Sequence, residues 1–472
     1  MQVPILSGIY TDSNSEFRTA YPTNLVPVPK AQGISNGYLR PGDGIVEDGT
    51  GPDIGRGGIN WNDFCYRAMG GQLVRINPDN SVDIIGDIPG REQVALDYSF
   101  DYLGVVAGNN FYLYDERTFR EVLDEDLGDV FDFIWVDGYF MLTDGEFLIV
   151  TELNDPFSIN PTKYGSSEVD PDPIKALLKV RNEPHALNRY TIEVFDNIGG
   201  TGFPFQRIDG AQVMRGTVGT HSCCVYLENI AFVGGGRGES IAVWLASSGS
   251  STKLSTREID IVLSQYTEEQ LSTSILEARV DKGHQHLYLH LPDQTLVYDA
   301  IASSEVGQPV WFRLVSAINL TGTDFKGRYR AKDFVWCYSK WLCTDPTSEK
   351  FGFLSISETD HWGAEVSWQF DTPILYNESR GAIFQRVELI SLIGRNVVAS
   401  DDTTIGTRYS LDGISYSIPR FIKAGKSGQR DKRLVWLQQG NMRHWRTQRF
   451  FGTSKARISP ARLEIQLEPL AV

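Results

Sequence analysis

The 472-residue chain is poor in the features that mark secreted and membrane-spanning proteins. It has 5 cysteines, an odd number whose spacing fits no zinc motif: Cys65, Cys223, Cys224, Cys337 and Cys343. We expect these thiols to be free and buried within strands, because structural disulfides are rare in reducing compartments. No run of 18 apolar residues predicts a membrane span. Residues 1–10 lack the basic and apolar regions of a secretory signal, so we expect synthesis and folding in the cytoplasm.

Catalytic signatures are also missing from the sequence. No Gly-x-Ser-x-Gly motif, Ser-His-Asp order or paired-carboxylate motif stands out, which favours a protein that is not an enzyme and has no cofactor. The run Gly234–Gly238 looks like a phosphate-binding loop. It lacks the Lys-Ser/Thr pair that opens a helix, so we interpret it as a hairpin turn. Carboxylates that converge only in space are invisible here, and a glycosidase therefore stays open as an alternative.

Charge is distributed unevenly along the chain, which carries −16 overall. Residues 366–472 hold 16 Lys and Arg against 9 Asp and Glu, a net +7, whereas the preceding residues carry −23. An acidic body joined to a basic C-terminal piece suggests that the two ends dock on different partners, or on each other in a ring. The acidic body argues against wrapping DNA, because duplex binding requires phosphate neutralisation.

Glycine is abundant, at 45 residues, and recurs between short apolar runs. Seven loose units of apolar strands and Gly-containing turns follow one another: Phe64–Ile85, Tyr102–Val122, Phe131–Leu153, Tyr190–Ile208, Cys223–Leu245, Leu287–Leu314 and Phe334–Ile356. They start 29–64 residues apart, with a mean spacing of 45, which is close to the repeat of propeller blades. We therefore predict an all-β fold with a six- or seven-bladed β-propeller over residues 38–362. A stacked pair of sandwiches is the alternative.

The two ends of the chain differ from this repeat in composition and in the spacing of their predicted strands. Residues 1–37 are rich in proline, which favours an extended arm over a packed strand, and such an arm often lies along a neighbouring subunit. Residues 154–175 read as a loop. Residues 363–472 contain seven evenly spaced, hairpin-linked strands, which predict a basic C-terminal β-sandwich domain.

A helical insertion interrupts the repeat near residues 255–278. Ile259, Val262, Leu263 and Tyr266 form one apolar stripe with helical spacing. Ser255 is the predicted N-cap of this helix. Thr267 and Gln270 form the capping box of a second turn. The insertion is either packed on the propeller rim or a docking element for another protein, and both interpretations stay open.

Three histidines alternate on the strand that follows. His284, His286 and His290 share one face, and leucines occupy the other. Three histidines on one face can bind zinc or nickel. No Cys or carboxylate is evident beside them in the sequence, so we predict a hydrogen-bonded polar face and no metal site.

Basic and aromatic residues are interleaved near the C-terminus. One cluster spans Lys423, Lys426, Arg430, Lys432 and Arg433, and another contains Arg443, Arg446 and Arg449 beside Trp436 and Trp445. Such patterns bind single-stranded nucleic acid or make protein interfaces, where Arg and Trp are enriched. With an acidic body available on a neighbouring subunit, we favour the interface.

Three segments resemble one protein family. They are Gly37–Arg40, the stretch from Ser255 to Ala300 with its Ser-Gln-Tyr-Thr and Leu-Val-Tyr-Asp-Ala motifs, and Asp431–Trp436 followed by Gly440 and Arg443. In order and rough spacing they resemble the tail-hub proteins of short-tailed enterobacterial phages. These are also called packaged-DNA stabilisation proteins or tail accessory factors. None of the three segments is a catalytic signature.

The resemblance implies a structural virion protein of the tail. Members of that family form a hexameric ring below the portal and head-to-tail adaptor, retain the packaged genome, and carry tailspikes and a tail needle. DNA would pass through the lumen of the ring during ejection without specific binding. The alternatives are a carbohydrate-binding or glycosidase-like propeller and a nucleic-acid-binding protein. The residues predicted at partner interfaces are Arg257, Glu258, Tyr266, Arg430, Lys432, Arg433, Arg443, Trp445 and Arg446.

Overall fold

The computed structural model describes residues 2–3, 21–30, 34–377, 380–395 and 403–470. Antiparallel strands dominate these ranges and form seven small sheets, a two-stranded ribbon and two larger sheets. The helices described are α1 (Arg257–Leu263), α2 (Glu268–Ser272), α3 (Ala300–Val306) and one 3-10 turn, Pro161–Lys163. None of the helices in this part of the chain is long and apolar enough to span a membrane.

The seven small sheets each contain four main strands, and six of them take these strands in chain order. Blade one is Gly55–Trp61, Phe64–Met69, Gln72–Ile76 and Val82–Asp87. Blade two is Ala95–Tyr98, Leu103–Ala107, Asn110–Tyr114 and Phe119–Glu121. Blade three is Asp132–Val136, Tyr139–Thr143, Phe147–Glu152 and Asp155–Ile159, with the short Gly165–Ser166 beside it. Blade four is Ile174–Val180, Glu183–Asn188, Ile192–Asn197 and Phe205–Arg207.

Of the remaining three blades, blades five and seven depart from the simple four-strand pattern. The first strand of blade five is split into Gly216–Thr217 and Cys223–Tyr226, followed by Asn229–Gly235, Ala242–Ser247 and Ser250–Lys253. Blade six is Ile275–Asp281, His284–His290, Thr295–Asp299 and Trp311–Leu314. Blade seven combines Lys332–Cys337, Lys340–Thr344 and Lys350–Ser355 with Gly44–Thr50. The last blade is therefore completed by a strand that comes before the first.

The blades close into a circle. The first strand of each blade contacts the first strands of the two blades beside it. Residues from all seven first strands line one cavity of about 420 Å³, which is the central channel. The predicted propeller is confirmed, and the number of blades is seven.

Apolar packing lies between the blades rather than at a single centre. Seven buried clusters each join two adjacent blades, including the pair formed by blades seven and one. In the cluster that closes the circle, Cys65 and Ile76 of blade one pack on Val335 and Phe351 of blade seven. Every blade thus buries both faces, which a small antiparallel sheet cannot do alone.

The predicted units recover the blades, but several of them begin too late. Gly55–Trp61 and Ala95–Tyr98 are first strands that fall outside them. The sequence of Gly55–Trp61, GRGGINW, has little apolar alternation because its residues face the channel as well as a neighbouring blade. The predicted loop at 154–175 is likewise wrong in part, since Asp155–Ile159 is the outermost strand of blade three.

Two larger sheets pack face to face after the propeller. One contains Ala382–Leu392, Leu434–Leu437, Asn441–Met442, Ser459–Pro469 and the N-terminal Gln2–Val3. The other contains Ser367–Asp371, Leu375–Tyr376, Thr403–Ser410, Arg420–Gly425 and Trp445–Thr453. Their inner faces share one apolar cluster, so the predicted β-sandwich is confirmed.

The N-terminal segment differs from the predicted arm. Leu25–Pro29 is a strand paired with Gly37–Pro41, and Leu25 and Leu39 are buried in the sandwich core. The prolines occupy alternate pairs of this ribbon, which leaves the intervening pairs free to form ladder hydrogen bonds. Residues 1, 4–20 and 31–33 of the predicted arm lie outside the described residues.

Asn24 connects this segment to both domains. Its side-chain amide donates to the carbonyl oxygens of Val315 (2.8 Å) and Ser367 (2.7 Å), and its carbonyl oxygen accepts from the Val315 N–H (2.9 Å). Val315 follows blade six and Ser367 begins the sandwich. One buried amide therefore holds the propeller against the sandwich.

The closing strand provides a test of the circular packing. A Cβ added at Gly352 would lie 2.0 Å from the carbonyl oxygen of Val46 in the closing strand, whereas one added at Gly128 meets nothing within 4 Å. We expect Gly352→Ala to lower the free energy of unfolding by about 1–3 kcal/mol. We expect Gly128→Ala to change it by less than about 0.5 kcal/mol. Urea unfolding followed by tryptophan fluorescence measures both. Equal effects would contradict tight closure at this strand.

Candidate partner surfaces, propeller channel and histidine strand

The helical insertion lies in the connection from the last strand of blade five to the first strand of blade six. Ile259 and Leu263 of α1 are buried in the cluster that joins these blades. Arg189 of blade four makes a bidentate ion pair with Glu268 of α2, at 2.6 and 2.9 Å. These contacts show that the insertion is packed on the propeller. Whether its outer face also docks a partner stays a prediction.

The caps of the insertion differ in part from prediction. The capping box of Thr267 and Gln270 is confirmed. The N-cap of α1 is Thr256 rather than Ser255, because the Ser255 hydroxyl donates to Asp260 and accepts from the Val243 N–H. The helices end at Ser272, before the predicted boundary at 278, because the following residues form the first strand of blade six.

The three interface residues predicted on the insertion lie in different surroundings. Arg257 is exposed, and Glu258 is half-buried. Tyr266 is half-buried, and its hydroxyl contacts Asp293 and accepts from the Gln294 amide (2.8 Å). Tyr266 therefore fastens α1 to a hairpin of blade six, and Arg257 is the most accessible of the three.

The first basic cluster forms one continuous surface, which we call the basic edge: Lys423, Lys426, Arg430, Lys432 and Arg433. It runs from the edge strand of one sandwich sheet, through a turn, to the edge strand of the other. All of its members are exposed except Lys432, which is half-buried. Arg433 makes a bidentate ion pair with Glu388 through its Nε and Nη2 atoms, each at 2.6 Å. A solvent-facing cationic surface at a sheet edge can dock an acidic partner.

The structure separates Arg443 from the basic edge. Leu434 pairs with Leu389 of the long strand Ala382–Leu392, whereas Asn441, two residues before Arg443, pairs with Ile383. At about 3.3 Å per residue these positions are about 20 Å apart. Arg443 is exposed and Trp445 is half-buried at this other end. The sequence clusters are therefore two separate surfaces.

Two of the predicted basic residues are not on the surface at all. Arg446 is fully buried; it donates to the Gln439 carbonyl (2.6 Å) and stacks over the rings of Phe384 and Tyr409. The prediction of Arg446 as an interface residue is wrong, because this strand is the centre of its sheet. Arg449 is 2% exposed, as described next.

Arg449 joins the sandwich to the propeller. It makes a bidentate ion pair with the buried Asp371 at 2.7 and 2.8 Å, and a further ion pair with Asp324 at 2.7 Å. It also donates to the Gly322 carbonyl at 3.2 Å. Gly322 and Asp324 belong to the connection between blades six and seven. Part of the positive charge counted in the C-terminal piece is thus used inside the protein.

The propeller channel is lined by buried carboxylates. Burial raises the pKa of Asp132 to about 7, although its carboxylate accepts the backbone N–H groups of Leu177 (2.7 Å) and Phe133 (2.9 Å). Burial also raises the pKa of Asp97, which accepts the Trp135 N–H at 2.7 Å. These hydrogen bonds tie the first strands of blades two, three and four together around the channel.

Where blades six and seven line the channel, a positive charge accompanies the carboxylates. Glu277 accepts the backbone N–H groups of Asp333 (2.9 Å) and Phe334 (2.7 Å), which connects blades six and seven. The Lys332 ammonium lies 3.5 Å from Asp333, and this charge keeps the pKa of Asp333 below its usual value. Burial lowers the pKa of His221 to about 4, so this imidazole is neutral at pH 7.

The three predicted histidines do share one face of blade six, and carboxylates lie beside them. Asp299, on the next strand, is 2.5 Å from His284 and 3.6 Å from His286. Glu277, on the preceding strand, is 3.3 Å from His290. The reason given for a purely hydrogen-bonded face, the lack of a nearby carboxylate, is therefore wrong. Strand pairing brings these acids in from positions the linear sequence does not associate.

Comparison with known proteins accounts for both domains. Residues 1–359 match the family model described as bacteriophage P22 Gp10, beta-propeller, and residues 367–468 match that described as bacteriophage P22 Gp10, beta-sandwich. The chain belongs to the bacteriophage P22 Gp10 family. Among its Gp10-family relatives, the tail hub protein gp10 of Salmonella phage P22 is 25% identical over an alignment of 490 positions. The alignment covers 99% of each chain.

Several solved structures resemble the Gp10-family chain more remotely. The type-IX secretion component PorZ of Porphyromonas gingivalis is 13% identical with a TM-score of 0.38, covering 65% of this chain and 37% of PorZ. The computationally designed protein Ika8 is 12% identical with a TM-score of 0.39, covering 74% and 99% of the two chains. The N-terminal domain of Nup159 is 10% identical with a TM-score of 0.41, covering 71% and 100%.

Family membership settles the broad function. This Gp10-family chain is a structural tail hub protein of a short-tailed phage and resides in the virion tail. Its role is structural rather than enzymatic, which decides against the glycosidase alternative.

The burial of Arg449 predicts that its removal lowers the free energy of unfolding more than removal of an exposed arginine does. We expect Arg449→Leu to lower the free energy of unfolding by about 3–5 kcal/mol, because it leaves the buried Asp371 without a cationic partner and only with a neutral hydrogen bond from the Tyr416 hydroxyl, at 3.1 Å. Arg433→Ala should cost less than about 1 kcal/mol, because Arg433 is exposed and Glu388 keeps its ion pair with Arg386. Urea unfolding measures both variants. A loss for Arg449→Leu no greater than that for Arg433→Ala would refute the structural role of this pair.

The channel predicts a pH dependence that Asp132 controls. The unfolded chain releases the Asp132 proton near pH 4, and the folded protein holds it until about pH 7. Its contribution to stability is therefore complete below about pH 4 and is lost as the pH rises through 7. We expect the wild type to lose stability relative to Asp132→Asn over this window, measured by urea unfolding at several pH values. Asp209→Asn, at a site whose side chain is 96% exposed, serves as the control and should show no such trend.

Proposed function

We propose that this tail hub protein assembles as a hexameric ring below the portal and the head-to-tail adaptor. In this position it retains the packaged DNA, anchors the tailspikes and tail needle, and forms part of the channel for genome ejection. The observation that carries the proposal is the match to the tail hub protein of phage P22 over 99% of both chains. The propeller of residues 38–362 and the basic sandwich of residues 363–472 would act as the two working domains.

The dimensions of the propeller bear on where DNA would pass. The channel within one propeller is about 420 Å³ and is lined by side chains of all seven blades. A cube only as wide as the major groove of duplex DNA, about 12 Å, already has a volume of about 1,700 Å³, so a duplex does not fit in this channel. The conduit in our proposal is therefore the space enclosed by the ring of subunits. Its acidic walls would repel phosphates and let the DNA slide.

Charge supplies a contact between neighbouring subunits in the proposed ring. The basic edge faces solvent at the side of the sandwich. Between blades two and three, residues 123–129 form an acidic loop in which Glu125, Asp126 and Asp129 are exposed. Leu123 in the same loop is 84% exposed. Docking the basic edge on this loop of the neighbour would bury an exposed leucine and match opposite charges.

Native mass spectrometry tests the ring. We expect the purified protein, alone or mixed with the adaptor ring, to form a complex of six copies. Monomers alone in the presence of the adaptor ring would contradict the proposal. Incubation with host surface polysaccharide in parallel tests the carbohydrate-binding alternative, which tight binding would favour.

Charge-reversal variants test the subunit contact. We expect Lys426→Glu with Arg430→Glu to weaken subunit association about tenfold or more at low salt, because like charges would then face each other. Arg443→Glu, at the other end of the sheet, is the matched control. Adding Glu125→Lys and Asp129→Lys to the double variant should restore association. Failure to restore it, or an equal effect of Arg443→Glu, would count against this contact.

A further inference from the structure

Blade six holds a group of three side chains that we call the triad: His284, His286 and Asp299. One ligand atom from each lies within 4.8 Å of the other two. His284 and His286 project from the same face of one strand, and Asp299 pairs directly with His286 on the next strand. Regular strand pairing, rather than a loop, therefore positions two imidazoles and a carboxylate.

His286 is buried without a hydrogen-bond partner. It is 1% exposed, and neither ring nitrogen has a partner among the described residues. Its Nε2 points at Asp299 but lies 3.6 Å from Oδ2, beyond hydrogen-bond distance. A buried, unpaired imidazole is costly to maintain, because it has lost its contacts with water.

Asp299 is held in place to face both histidines. Its Oδ1 accepts the backbone N–H groups of Ile301 (3.1 Å) and Ala302 (3.3 Å) and so caps α3. Its Oδ2 is left for His284 and His286. A ligand whose second oxygen is already fixed is preorganised for coordination.

Charge around the triad leaves room for a cation. Arg40 pairs with Asp43 and Asp281 at 2.7 Å, and Arg279 pairs with Asp43 at 2.6 Å. Asp281 and Arg279 are the cross-strand neighbours of the two histidines. Together with Asp299, three carboxylates oppose two guanidinium groups. Counting only these five charged side chains, the group carries one excess negative charge.

We propose that the triad binds one divalent transition-metal ion of the zinc class through the His284 Nδ1, the His286 Nε2 and an Asp299 carboxylate oxygen, with water as a further ligand. Zinc bonds of about 2.0–2.2 Å at tetrahedral angles separate the ligand atoms by about 3.3 Å. The separation of 3.6 Å between His286 and Asp299 already fits. The separation of 2.5 Å between His284 and Asp299 would need to lengthen by less than about 1 Å when the metal binds. The ion would cross-link the second and third strands of blade six at the start of α3, and this role is independent of the proposed ring.

The test uses the full-length protein treated with EDTA and then dialysed. Isothermal titration with zinc chloride should show one equivalent bound, and Co²⁺ should produce the visible absorption of a low-coordinate site. Zinc should also raise the midpoint of thermal unfolding. We expect His284→Gln and His286→Gln each to weaken zinc binding at least about tenfold and to abolish the thermal shift. His290→Gln, four residues after His286 on the same face, is the matched control and should behave as the wild type.

Each result bears directly on the proposal. Stoichiometric binding that is lost in His284→Gln and kept in His290→Gln supports the site. Lack of stoichiometric binding by the wild type overturns it, as does equal binding by wild type and His284→Gln. If His286→Gln does not fold, as judged by circular dichroism, the partly exposed His284 carries the test. A destabilisation of His284→Gln that zinc does not alter, with no zinc binding by the wild type, would identify a simple histidine–aspartate hydrogen bond.

Discussion

The closure of seven blades into a circle is the constraint on which the rest of this protein depends. A four-stranded sheet of about twenty residues has two apolar faces and cannot cover both by itself. Here each face is covered by the next blade, and seven separate clusters replace a central core. The circle is complete only when Gly44–Thr50 pairs with blade seven, so the two ends of the propeller are held together by one strand.

The same N-terminal region also determines how the second domain is placed. Leu25 and Leu39 complete the sandwich core, and Asn24 bonds to backbone groups of both domains. The ion pairs of Arg449 with Asp371 and Asp324 form a second link between the two domains. Because these groups are buried and mutually satisfied, the propeller and the sandwich form a joined unit. Such a unit suits a component that must withstand force in a virion tail.

The distribution of charge acquires a different meaning once the burial of each residue is known. The positive C-terminal piece contains Arg446, which packs between two aromatic rings, and Arg449, which serves the contact with the propeller. These residues contribute to folding rather than to the outer surface. The basic edge and Arg443 are predicted interface residues that reach the solvent, and they are about 20 Å apart along one strand.

Local patterns in the sequence were enough to predict the all-β class, the repeating blades, the capping box at Thr267 and the sandwich. Turns and strands depend on residue types at consecutive positions, which can be recognised without the tertiary structure. The recognisable motifs also indicated the tail-hub family.

Only the tertiary structure decided the number of blades, the strand that closes them, the burial of Arg446 and the approach of Asp299 to His284 and His286. Each of these depends on pairing between strands whose separation in the sequence follows no local pattern. A side chain's neighbours across a sheet are set by register, and register is determined by the packing of the whole circle.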